Sequence, residues 1–163
     1  MNNPEKHAIP FEVIATNLVA DDDRNLWRTA LAVLTDDFML RYDEKPVNRD
    51  WALVVGACSH WVRPHNSKWD AAGGFIYPEG YLDSMPEFNW SVIFVFRNRE
   101  WVPATKLTKR LNVLRVAIPT RTVRHRQAVV HSRWSPGSKT VLYGFRKLDG
   151  NWECVAASNE ETP

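Results

Sequence analysis

Cys58 and His60 are the side chains in this chain best suited to nucleophilic chemistry. A nearby imidazole stabilises a thiolate, and the thiolate is the reactive form of cysteine. In an extended segment the two side chains point the same way while Ser59 points opposite. Contact is therefore allowed, but no nucleophile-elbow pattern surrounds the pair. Cys58 closes the apolar run Trp51 to Cys58, which favours a small inert core thiol. His65 follows in the same stretch, yet no Cys-x-x-Cys or His-x-x-x-His pair completes a zinc site. Ala71-Ala72-Gly73-Gly74 lacks the Lys-Ser/Thr of a phosphate-cradling loop. The carboxylates Asp70, Glu79, Asp83 and Glu87 are scattered without a spacing that selects an acid–base pair. Asp36-Asp37 is placed on the exposed side of a helix. No metal and no cofactor is expected, and the balance is against an enzyme.

The charge distribution is the strongest unusual feature. Net charge is only +2, but residues 1–50 hold ten acids and six bases, whereas residues 97–133 hold ten bases and one acid, Glu100. Within that basic segment Arg121, His125, His131 and Arg133 fall on one face of an expected strand, and Arg124 and Arg126 on the other. Arginine binds phosphate or carboxylate through paired N–H groups, so such a face suits an anionic ligand. Trp101 or Trp134 nearby could stack on a base. The competing expectation is a solvated face neutralised by the acidic half of the chain. With a pI near 8.6 the protein is less basic than most nucleic-acid binders, so only weak, salt-sensitive polyanion binding is expected.

Elements that would position these residues are legible in outline. Asp21, Asp22 and Asp23 suit a helix start, and Leu26, Ala30, Leu31, Leu34 and Phe38 recur at helical spacing. The spacing predicts a helix over 22–40 that buries Leu26, Ala30, Leu34 and Phe38. Phe11 to Val19 fits a strand or a short helix. Trp51 to Cys58 is apolar on both alternating faces and reads as a central strand buried on both sides. Residues 63–89 hold three Pro and three Gly, the composition of a long and often functional loop. Trp90 to Phe96 is a second strand. Residues 104–118 are compatible with either helix or strand, and Pro119 ends either one.

The tail reads as a three-stranded meander, with turns at Ser135-Pro136-Gly137-Ser138 and Asp149-Gly150. Tyr143, Phe145, the Asp149-Gly150 turn and Trp152 resemble the final strands of cone-shaped α+β domains of the nuclear transport factor 2 type. The resemblance implies a cone-like sheet. It implies no single function, because that family hosts binders and enzymes alike. The middle of the chain does not follow that family's helix order.

At 163 residues the chain suits one domain, and 44% apolar residues supply a sizeable core without staples. The first ten residues lack the apolar run of a signal peptide, and no apolar stretch spans a bilayer. These features set the expectation of a single cytoplasmic α+β domain with reduced thiols: one main N-terminal helix packed on a mostly antiparallel curved sheet, with a cone-like pocket allowed. The leading expectation is a non-catalytic domain that binds a small molecule or a protein, with no membrane partner and with a homodimer allowed. Its site would be the aromatic-rich sheet face or the 63–89 loop. Nucleic-acid binding through residues 97–133 and a small enzyme using Cys58 and His60 are the alternatives.

Overall fold

A computed structural model describes residues 7–19, 24–44, 50–58, 86–107, 111–120, 127–135 and 139–157. They form two helices and a curved seven-stranded sheet, an α+β arrangement. In chain order these are α1 (Phe11–Leu18), α2 (Arg24–Glu44), β1 (Trp51–Cys58), β2 (Trp90–Arg97), β3 (Glu100–Ala104), β4 (Asn112–Pro119), β5 (Gln127–Ser135), β6 (Lys139–Leu148) and β7 (Asn151–Ala157). The strand order is β3-β2-β1-β4-β5-β6-β7, antiparallel throughout except for the parallel pair β1–β4.

Two tight hairpins set the register of the sheet's two ends. Asn98 and Arg99 both take positive φ between β2 and β3, and Asp149 and Gly150 do so between β6 and β7. Paired positive φ values match the right-handed twist of the flanking strands. Asp149 and Gly150 tolerate that conformation readily, whereas Arg99 holds φ at 62° despite its Cβ. Its carbonyl lies 2.8 Å from His7 Nδ1, and its guanidinium 3.1 Å from Asp43.

β1 is buried from Ala52 to Cys58, as expected of a central strand. The sequence between Pro103 and Pro119 resolves into strand at Asn112–Pro119, so the β-branched composition there outweighs the helical spacing of its leucines. Phe11–Leu18 is a helix, started by Pro10. α2 runs four residues further than 22–40 at its C-terminal end, and its proposed aspartate cap lies outside the described residues.

Period-two alternation gives the sheet two chemically different faces. Leu53, Val55, Ala57, Phe94, Phe96, Leu114, Val116, Ile118, Val130 and Phe145 belong to the principal core. Leu26, Ala30, Leu34 and Phe38 of α2 join it and are fully buried. Phe38 is the hub: its ring centroid lies 4.8–6.0 Å from those of Tyr42, Trp51, Phe96, Trp101 and Trp134. At the other end of α2, Trp27 stacks on Trp90 with centroids 5.3 Å apart. The opposite face carries a smaller cluster of Ala52, Val54 and Val113, with Phe88, Ile93, Leu107 and Leu111 against it.

Candidate functional site

The register of β4, β5 and β6 decides which basic residues meet. On the second face of the sheet Arg115 lies directly opposite Arg133, Ala117 opposite His131, and Val113 opposite Ser135. Across the next ladder Arg133 faces Thr140, His131 faces Leu142, and Gln127 faces Arg146. One row therefore reads Val54, Arg115, Arg133, Thr140 from the sheet centre outward. The Arg133 Nε–H donates to Thr140 Oγ1 at 3.3 Å, which fixes the plane of the guanidinium. Arg115 and Arg133 are both half-buried, whereas His131 is buried.

This central pair differs from the basic residues nearer the sheet edges. Arg97 stands opposite Glu100 on the β2–β3 side, and Arg146 opposite Glu153 on the β6–β7 side. Opposite charges across a ladder stabilise it, and like charges directly opposite destabilise it. The ladder therefore sets two like charges, Arg115 and Arg133, opposite each other at the middle of the face, and unlike charges opposite each other nearer its edges. The single-sequence pattern had grouped His131 and Arg133 on one face, and the structure places them there. Arg115 was not grouped with them, because cross-strand register is invisible without the sheet order. Arg121 and His125 lie outside the described residues.

Trp101 and Trp134 are not beside the arginines. Both are buried on the opposite face of the sheet, against Phe38. Their aromatic area is used in the core, and neither is placed to stack on a base held by Arg133. Arg41 of α2 covers the Trp134 ring at 4.3 Å, a cation–π contact.

A second polar group lies on that core face. The Tyr143 hydroxyl donates to Asp37 Oδ2 at 2.5 Å, and Arg41 lies 4.0 Å from the same carboxylate oxygen. Burial, followed by the accepting Asp37 carboxylate, holds the Tyr143 phenol protonated far above its ordinary value of 10.0, with Ser132 and Arg41 opposing in part. The phenol is thereby held as a donor to Asp37. Asp37 was placed on the exposed side of the helix. It instead turns to Tyr143 and is about a third exposed. A signal was present in the sequence: Asp37 and Arg41 are four residues apart, the spacing of a helical ion pair.

Cys58 is fully buried on the second face, and its carbonyl accepts from Thr120 N–H at 2.8 Å and Thr120 Oγ1 at 3.2 Å. His60 lies outside the described residues, as do His65 and most of the 63–89 loop. Cys58 and Cys154 are not joined in a disulfide, and Cys154 is exposed. Among the described residues no cluster of His, Cys, Asp or Glu could hold a metal ion, and no helix is long and apolar enough to cross a membrane. Comparison with protein families, with curated proteins and with solved structures found no match to this chain.

Proposed function

We propose that this chain is a non-catalytic binding domain that takes an anionic ligand on the second face of its sheet, with Arg115 and Arg133 as the principal contacts. One observation carries the proposal: two half-buried arginines directly opposite each other in the ladder. Their mutual repulsion falls when an anion bridges them, so a ligand gains what the ladder gives up. Guanidinium groups match phosphate or carboxylate oxygens two at a time, which suits a small anion or an acidic group on a protein. His131 occupies the neighbouring row, opposite Ala117. In shape, α2 is the one principal helix packed on the sheet, and the curvature makes a cone whose aromatic interior is filled by Phe38. The ligand therefore belongs outside the cone.

A nucleic-acid partner is the second form of the same proposal. It is favoured by the concentration of bases in residues 97–133 and disfavoured by the burial of both indoles that would stack on bases. An enzyme built on Cys58 has less support, because a fully buried thiol is shielded from substrate. Calorimetric titration with inorganic pyrophosphate, polyphosphate and single-stranded DNA over a salt series tests the proposal. Weak binding that declines as salt rises and is lost in Arg115→Ala/Arg133→Ala is expected. Binding to none of the three probes at any salt would refute it.

A further inference from the structure

We propose that the outer face of α2 is a self-complementary surface that pairs two copies of this chain, antiparallel about Ala32, with Arg28 of each against the partner's Asp36.

The argument starts from the helix period. Asn25, Arg28, Ala32, Asp36, Leu40 and Asp43 are the exposed residues of α2, and they form one stripe along it. Arg28 and Asp36 stand about 12 Å apart on this stripe at helical rise, with Ala32 midway between them. A two-fold axis through Ala32 reverses the second helix. Arg28 then falls opposite the partner's Asp36, and Asp36 opposite the partner's Arg28. An isologous dimer requires this reciprocity, in which one surface is its own complement.

Two further features fit a second helix at this place. Ala32 at the crossing point has the smallest side chain that still favours helix, so two helix axes can approach closely. A groove of about 260 Å³ is lined by Ile9, Phe11 and Leu31 together with Arg28, Ala32 and Asp36 of the stripe. Two of its lining residues are tied together, the Ile9 N–H donating to the buried Thr35 hydroxyl at 3.0 Å. Arg28 is already aligned by Glu12 at 2.9 Å and by the Phe11 ring at 4.7 Å. Its side chain is nevertheless half exposed, and Asp36 is exposed and enters no ion pair among the described residues. Leu40, 66% exposed, lies one turn beyond Asp36 and falls near Arg24 of the partner subunit, where it loses solvent contact.

Sedimentation velocity over a range of protein concentrations reads the outcome, with Arg28→Glu, Asp36→Arg and the double exchange Arg28→Glu/Asp36→Arg. Each single reversal changes two symmetric contacts and should weaken the dimer about tenfold or more. The double exchange should restore it, since every opposed pair regains opposite signs. Both positions are on the surface, and circular dichroism checks that the variants stay folded. A second readout uses Ala32→Cys in a Cys154→Ser background, which should form an intermolecular disulfide readily because the axis passes through position 32. A monomer at every concentration would overturn the proposal. So would a dimer indifferent to the single reversals, or one that the double exchange fails to restore.

Discussion

The two faces of this sheet use the same alternating backbone for opposite purposes. One face meets α2 with rings: Phe38 alone touches five aromatic side chains, and Trp101 and Trp134 are buried there. The other face sets Arg115 against Arg133 in the middle and balances its margins with Glu100 and Glu153. The six tryptophans among the described residues belong to that core or pack against it, whereas Arg115 and Arg133 lie on the other face. A residue's face decides more about its role than its neighbours in sequence. Arg133 and Trp134 are adjacent and belong to different halves of the molecule.

The comparison breaks most severely if the ring cluster is removed. Phe38→Ala should lower unfolding stability by about 3–5 kcal/mol in a denaturant titration, and Leu34→Ala by about 2–5 kcal/mol. A loss within about 0.5 kcal/mol, the range of surface substitutions, would mean that α2 is not part of the core. On the other face the largest effect is expected at Gly56. A Cβ there would run into the Trp90 carbonyl oxygen and lie 2.8 Å from the Phe88 ring and 2.9 Å from Ser91 Cβ. Gly56→Ala should cost about 1–3 kcal/mol, because backbone and a packed ring must both shift.

Smaller effects sharpen the same contrast. Tyr143→Phe removes a hydrogen bond to a carboxylate and should cost about 1.5–3 kcal/mol at neutral pH. The sign of the pH dependence follows from its raised pKa. The unfolded chain releases the phenolic proton near 10.0 while the folded chain keeps it. The stability that Tyr143 contributes is whole below that value and declines as pH rises above it. Alkaline denaturation curves should therefore be flatter for Tyr143→Phe than for the wild type. Equal slopes would mean that Tyr143 does not hold its proton. In the mildest test, iodoacetamide at neutral pH should label Cys154 well before Cys58, because only Cys154 reaches solvent.

Much of the fold was legible in the sequence because its signals are local. Helical spacing from Leu26 to Phe38, the doubly apolar run of β1 and the Asp149-Gly150 turn each specify their element without distant partners. The ambiguous stretch before Pro119 needed tertiary context, since β4 is defined by a parallel partner, β1, far away in the chain. The candidate site was half legible for the same reason. Alternation along β5 puts His131 and Arg133 together, but Arg115 joins them only through register with β4. Asp37 escaped because its partner Tyr143 is 106 residues away.

The central claim is that the middle of the second face binds anions while its margins are balanced internally. Fluorescence anisotropy of a labelled single-stranded oligonucleotide and of labelled polyphosphate at low salt tests it most directly. The comparison sets the central variant Arg115→Ala/Arg133→Ala against the marginal variant Arg97→Ala/Arg146→Ala, which removes the same number of charges. The account predicts that the central variant weakens binding by about tenfold or more, as expected for losing charge-assisted contacts, while the marginal variant stays close to wild type. Equal losses from the two variants would contradict it, because binding would then follow net charge and not the placement of Arg115 opposite Arg133.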